Sequence, residues 1–410
     1  MTRGLVLFED ERWPDLAPLT DLLPVPALAF GASDLASRWR ATVTEPLLAI
    51  EARAGAMGVW RERAAHARAP HAGADEVLAV NAAVLPGPWL AAVSRVTASA
   101  LFVAGDRVVG ARLADAAVTR GLGTGERFAG FLAGLGLPRH PVEARFIARP
   151  WQMVEWNAEA ITADLARARG EVRGEVHALT AVVQPERVTV AQGARVDAYA
   201  VLDAREGPIA IGPGAVVLSH TVVIGPCVVG AGTHLLGGVV GRSTIGPGCR
   251  IAGEVDECVW QGRANKRHHG FVGHSLIGEW ANLGALTTTS DLKNNYGTVR
   301  VHAGGAEVDT GLIKLGALIG GGVKTGIGTL LPTGAMVGTG SHLFGGGRYA
   351  PKHLPAFSWW DGECVREYQL DKFVATARVA MGRRGADLAP ADEAALRGLF
   401  DATAAVRRGA

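Results

Sequence analysis

Aliphatic residues recur every six positions through the second half of this chain, and few folds accept that spacing. Ile211, Val217, Val223, Val229 and Leu235 fall six apart without a slip. After a break come Ile245 and Ile251, then Ile277 and Leu283, then Ile313, Ile319, Thr325, Leu331 and Val337. A helix needs a period near 3.6 and an ordinary strand a period of two. A coil of short flat strands joined at tight corners puts one side chain per strand inside and so repeats every six. Gly or another small residue often follows the aliphatic, as in Ile245-Gly246, Ile277-Gly278, Ile319-Gly320 and Val337-Gly338, which suits a corner backbone. The chain holds 55 glycines, about twice the usual share, and they cluster between residues 207 and 347. A flexible linker would lack phased aliphatics.

The first part reads differently. Leu5–Phe8, Val77–Asn81 and Ala100–Val103 are short apolar runs expected as strands, with helical segments at 33–41 and 90–97 between them. That alternation predicts an α/β layer domain, whose ligands sit at the carboxyl ends of strands. Glu9 and Asp10 follow the first strand, Asn81 ends a later one and Asp106 follows another. No Gly-rich phosphate loop follows the first strand. After residue 350 an extended crossing is expected, then helices over 365–382 and 390–406. The expected domains are 1–180, 185–347 and 348–410.

With 41 basic and 39 acidic residues the charge points to no nucleic acid. The four cysteines, without C-x-x-C pairing, are expected as buried thiols in a reducing compartment. No signal peptide and no membrane-spanning run is apparent, so the expectation is a soluble cytoplasmic protein.

These residues carry a resemblance. The runs GHSLIGEWANLGALTTTSDLKNNYG, VKTGIGTLLPTGAMVG and PAFSWW resemble a divergent GlmU-like family. Its enzymes join an N-acetylglucosamine-1-phosphate uridylyltransferase to a glucosamine-1-phosphate N-acetyltransferase, in UDP-N-acetylglucosamine synthesis for cell-envelope precursors. The resemblance is closest over residues 185–360. It implies a left-handed parallel β-helix behind a Rossmann-like nucleotidyltransferase-like domain, a homotrimer, and acetyl-CoA as acyl donor to an amino sugar. In QGRANKRHHGFVGHS, His268 matches the family's catalytic base and Phe271 a tyrosine near the sugar. Arg263, Lys266 and Arg267 are candidates for the sugar phosphate, although Asp256 replaces a phosphate-binding lysine. Asn282, Asn295 and Tyr296 match sugar-binding positions, the last two across about four extra residues. Gly316, Ala317 and Lys324 are candidates for CoA.

In the first domain, LAPLTDLLPVPALAFG resembles the family's opening, with Leu23 and Ala29 where arginines are usual. Asn81-Ala82-Ala83 replaces N-x-R, and PWQMVEWNAEAI resembles a later segment. Nucleotidyl transfer needs cations and a metal around the triphosphate. Asp10, Asn81 and Asp106 are the nucleotide-site candidates, with UTP and Mg implied, and Arg12, Arg38 or Arg40 standing in for the missing cations. Uridylyl transfer stays open, beside a domain that has kept the fold with the reaction lost or altered.

A rival reading uses other histidines. The γ-class carbonic anhydrases share the coil and bind zinc between subunits through three histidines. His269 and His274 lie five apart and His234 lies thirty-five before His269, a similar spacing. Three neutral imidazoles would suit a hydrolytic zinc. A non-catalytic scaffold is the third reading.

Overall fold

The computed structural model describes residues 2–63 and 73–408. The first domain is a six-stranded mixed sheet. Its strands are β1 (Arg3–Phe8), β2 (Leu47–Glu51), β3 (Glu76–Asn81), β4 (Ala100–Ala104), β5 (Arg107–Ala114) and β6 (Arg139–Pro141). Their order is β2-β1-β3-β5-β4-β6, with β1 parallel to both neighbours and β5 antiparallel to β3 and β4. β1 is apolar on both faces, as a central parallel strand covered on both sides requires. Leu5 and Leu7 pack into one layer, and Val6 and Phe8 into the other. The helix expected at 33–41 runs Leu35–Thr42, started by the Asp34 side chain accepting the Ser37 N–H at 2.6 Å.

The second half is a parallel β-helix with three faces, which one turn visits in the order Val259–Trp260 (first), Asn265–Lys266 (second) and Phe271–Gly273 (third). The first face is a nine-stranded stack from Val188–Val190 to His353–Leu354. Ile211, Val229, Ile245, Trp260, Ile277, Ile319, Val337 and Leu354 point inward in register, all buried. The corner glycines are needed for closeness rather than for backbone freedom. A Cβ on Gly278 would stand 2.5 Å from the Gly320 carbonyl carbon, and one on Gly246 2.5 Å from the Trp260 oxygen. Coil pairing already begins at Glu175–Val176 and runs to Ser358–Trp360, beyond both bounds expected from the repeat.

Two expectations change. Ile313 is not an inward coil residue: it is 54% exposed, because the chain leaves the coil after Ser290 and returns at Ala317. The excursion carries a hairpin, Arg300–Ala303 with Ala306–Asp309. The stack ignores it, and Leu276-Ile277 pairs directly with Leu318-Ile319. The segment at 365–382 is not one helix. Val365–Glu367 pairs antiparallel with Ser358–Trp360 and covers the open edge of the last rung, and the helix is Leu370–Gly382. Cys227, Cys249 and Cys258 are buried in the coil, whereas Cys364 is exposed in the turn of that pairing.

The first domain lies along the first face. That face is apolar outside as well as inside. Val259, Leu276, Leu318 and Met336 point outward and share one core with Leu16, Leu28, Phe30, Ile147, Trp151 and Met153. Val299, Val301 and Leu315 of the excursion join the same core. The Gln261 amide accepts the Ala29 N–H at 2.7 Å and donates to the Ala29 carbonyl at 3.2 Å. The Thr244 hydroxyl donates to the Gly31 carbonyl at 2.6 Å.

Replacing Gly278 by Ala forces backbone apart across two rungs and is expected to destabilise by roughly 2–3 kcal/mol. Gly232→Ala, at φ +64° with open space around its Cβ, meets only the left-handed penalty, about 1 kcal/mol. Urea unfolding of both variants checks the order, and equal costs would refute close stacking as the reason for Gly278.

Candidate active site

His268 sits at the edge between the second and third faces of the coil, exposed, after the strand Asn265–Lys266 and before Phe271–Gly273. Lys266 explains how the loop is held. Its register partner is Ile251, an inward position, and the side chain is fully buried. The ammonium donates to the Ala252 carbonyl at 2.8 Å and to the His268 carbonyl at 2.9 Å. Burial pushes it down to about 8. Lys266 is therefore not the phosphate cation expected from the sequence. A buried ammonium needs partners for its donors, and these carbonyls take two of its three. The result pins the backbone of His268 from inside.

Phe271 follows on the third face, half-buried, paired with Glu254. Asn282 lies on the second face one rung above Asn265, whose amide donates to its oxygen at 2.7 Å. Arg263 is taken up by Glu279 at 3.0 Å. Arg267 is exposed and makes no hydrogen bond or ion pair among the described residues, so of the three candidate cations it alone is not engaged within the protein. Asn295 and Tyr296 leave from the edge between the third and first faces, with the excursion. Asn295 Oδ1 closes a turn on the Gly297 N–H at 3.1 Å, and Tyr296 is 70% exposed at φ 55°. The polar run before them is in part coil interior. Thr287 and Thr289 are buried, and the Thr287 and Thr325 hydroxyls lie 2.6 Å apart. Gly316 and Ala317 are inside as well: Ala317 is core, and a Cβ on Gly316 would strike the Gly273 oxygen at 2.1 Å. They line no groove for CoA. Lys324 points outward from the second face, paired in register with His342.

The sequence did not single out the network around His274. Its Nδ1 lies 2.8 Å from Asp291 and its Nε2 3.2 Å from Glu257. Burial opposes the imidazolium, but these two hydrogen bonds and their charges outweigh it and hold the ring at about 9. Glu257 and Asp291 are lowered in return. The zinc reading fails here: both ring nitrogens are engaged and the ring is charged. His234 lies on the second face beside Arg250, with arginines around it lowering its pKa further after burial, and His269 is exposed at the same edge as His268. Among the described residues no group of three or more His, Cys, Asp or Glu is placed to hold a metal.

In the first domain the acidic turn is consumed internally. Glu9 is fully buried, 2.8 Å from Arg53, and accepts the Val25 N–H at 2.7 Å. Burial pushes its carboxyl up. Asp10 is gripped by Arg107 at 2.7 and 3.0 Å and accepts from Asn81 at 2.7 Å. Arg107 also stacks on Phe146 and Arg53 on Trp13. Asp10 and Asn81 therefore meet as expected, but with an arginine between them and any divalent ion. Asp106 stands at the rim, paired with Arg12 at 3.0 Å. Arg38 is bound to Asp164 at 2.6 Å, so it does not replace a missing phosphate cation; Arg40 is exposed.

Comparison with known proteins fits this division. Residues 5–171 match the family described as sugar nucleotidyl transferase. A bifunctional sugar-1-phosphate nucleotidylyltransferase/acetyltransferase from Sulfurisphaera tokodaii is 36% identical over 93 residues, 23% of either chain. The bifunctional protein GlmU of Methanococcus vannielii is 30% identical over 131 residues, 32% of this chain and 27% of that one. Over these stretches the chain is similar to sugar nucleotidyl transferases and to the two bifunctional proteins. It aligns with only about a quarter of the length of these relatives. A solved structure, of the Arabidopsis UDP-N-acetylglucosamine acyltransferase, is 12% identical and covers 52% of this chain and 78% of that one. Its TM-score of 0.21 is too low to bear on this chain's fold.

The His274 clamp makes stability depend on pH. Its folded pKa, about 9, lies above the ordinary 6.5, so its contribution is complete below about pH 6.5 and is lost as pH rises through 9. Glu257 and Asp291 are lowered, so their share is lost in acid. Denaturation midpoints should fall between pH 6 and 9.5, on the order of 2 kcal/mol after discounting for solvent around Glu257. His274→Gln should flatten that slope, and an unchanged slope would remove the clamp.

Proposed function

We propose that the coil carries an acetyl-CoA-dependent N-acyltransferase for an amino sugar, with His268 as base. The observation that supports it most is the placement of His268. It is exposed, anchored through its own carbonyl by a buried ammonium, and adjoined by Phe271, Arg267 and the Asn265–Asn282 pair. The similarity to the relative described as a bifunctional sugar-1-phosphate nucleotidylyltransferase/acetyltransferase supports this chemistry. His268 takes a proton from the sugar amine as its nitrogen attacks the thioester carbon. The C–N bond forms, the C–S bond breaks and the proton passes on to the leaving thiolate. Asn282 contacts sugar hydroxyls and Arg267 holds a phosphate.

Assembly as a homotrimer completes the reading. The edge that bears His268 also exposes apolar side chains, Leu286 on the next rung and Ile327 above it, at 57% and 73%. Such a ridge marks a contact surface. A neighbouring subunit there would close the site and offer its own Asn295 and Tyr296. No helix among the described residues is long and apolar enough to cross a membrane.

The first domain, in this reading, does not transfer nucleotides. Its acidic side chains are spent on Arg53 and Arg107, so the residues do not fit Mg and UTP. Purified protein with UTP, Mg and N-acetylglucosamine-1-phosphate should release no pyrophosphate; steady turnover would reverse the assignment.

With glucosamine-1-phosphate and acetyl-CoA, thiol release should drop about 10²–10⁴-fold in His268→Ala. Full activity in that variant would sink the base assignment. Failure of wild type on this acceptor, with release on another amino sugar, would move only the acceptor.

A further inference from the structure

A cavity of about 70 Å³ lies where three parts of the molecule meet. The segment Pro18–Leu23 of the first domain forms one wall, the coil corner at Gly278–Trp280 and Gly321–Gly322 another, and the helices Leu370–Gly382 and Pro390–Ala402 the third. The lining is chiefly apolar, through Leu22, Phe373, Ala377 and Met381.

Its polar groups are mismatched. Lys324 reaches this wall, and its ammonium makes no hydrogen bond or ion pair among the described residues. Trp280 Nε1 is buried without an acceptor. Buried donors are ordinarily paired. The acids of the lining are not available to them. Glu279 is turned to Arg263 at 3.0 Å, and Asp392 has interactions of its own within the protein. Thr339, fully buried on the same wall, has the Asp21 carboxyl as its neighbour. Arg263 and Arg384 approach the Trp280 ring at 5.9 and 5.8 Å, so the surroundings favour an anion. Burial lowers the Lys324 ammonium, which a bound anion would reverse.

We propose that this cavity binds a short aliphatic carboxylate, its oxygens on Lys324 and the Trp280 N–H and its chain among Leu22, Phe373, Ala377 and Met381. An engineered cavity of about 150 Å³ holds benzene, so half that volume takes roughly two to four carbons. The site lies at the edge between the first and second faces, away from His268, and does not depend on the acyl-transfer reading. Its occupant would touch the first domain, the coil and the C-terminal helices at once.

Ligand-observed NMR titration of the full chain with propionate, propionamide and propylamine tests this. Propionate should bind, propionamide at least tenfold more weakly, and propylamine not at all. Lys324→Met should weaken propionate at least tenfold. Ala377→Leu keeps both donors and fills the space, so it should also abolish binding, and it carries the test if Lys324→Met fails to fold by circular dichroism. Equal binding of propionate and propionamide, binding untouched by both variants, or no propionate binding to wild type would each overturn the proposal.

Discussion

The structure depends on one face of the coil being apolar on both sides. Most coil strands hide one side chain and show one to solvent. On the first face Val259-Trp260, Leu276-Ile277, Leu318-Ile319 and Met336-Val337 are buried in and out. Four such rungs stacked in register make an apolar wall that cannot stay in water, at about 25 cal/mol per Å². Something had to cover it, and the first domain and the excursion hairpin do so together. Their shared core then fixes where Pro18–Leu23 lies, and hence one wall of the junction cavity.

The same constraint bears on the acidic turn of the first domain. An open α/β sheet keeps its ligand crevice at the carboxyl ends of its strands. Here those ends carry Glu9 and Asp10, held by Arg53 and Arg107. Arg53 also donates to the carbonyls of Thr20 and Leu23, in the segment that meets the coil. Arg53 thus ties the acidic turn to the docking segment.

The coil was legible because its signal is local and repeated: each inward aliphatic and the small residue after it recur every six positions. The two-sided face was legible in principle, since its rungs read as apolar pairs while the second face reads Arg250-Ile251, Asn265-Lys266, Asn282-Leu283 and His342-Leu343. Ile313 misled because the spacing persists by chance through residues that have left the coil. Lys266 misled because a lysine in a basic run reads as solvated, and only the rung register shows it to be interior. The His274 clamp joins positions 257, 274 and 291, which become neighbours only when three successive edges stack. The three positions lie 17 residues apart, one turn of the coil here, so the turn length is the signal that could have found it.

The excursion has a consequence for how such chains grow. Leu276 pairs with Val259 one turn earlier, a separation of 17 residues, and with Leu318 on the other side, a separation of 42. Loop-closure entropy rises only with the logarithm of length, so the longer connection costs about 0.8 kcal/mol more than an ordinary turn. A rung pair and its buried side chains outweigh that easily. Any edge of the coil can thus accept a new segment of two dozen residues at little thermodynamic cost, provided both ends return to the same register. Here that latitude has supplied a hairpin that clasps a neighbouring domain.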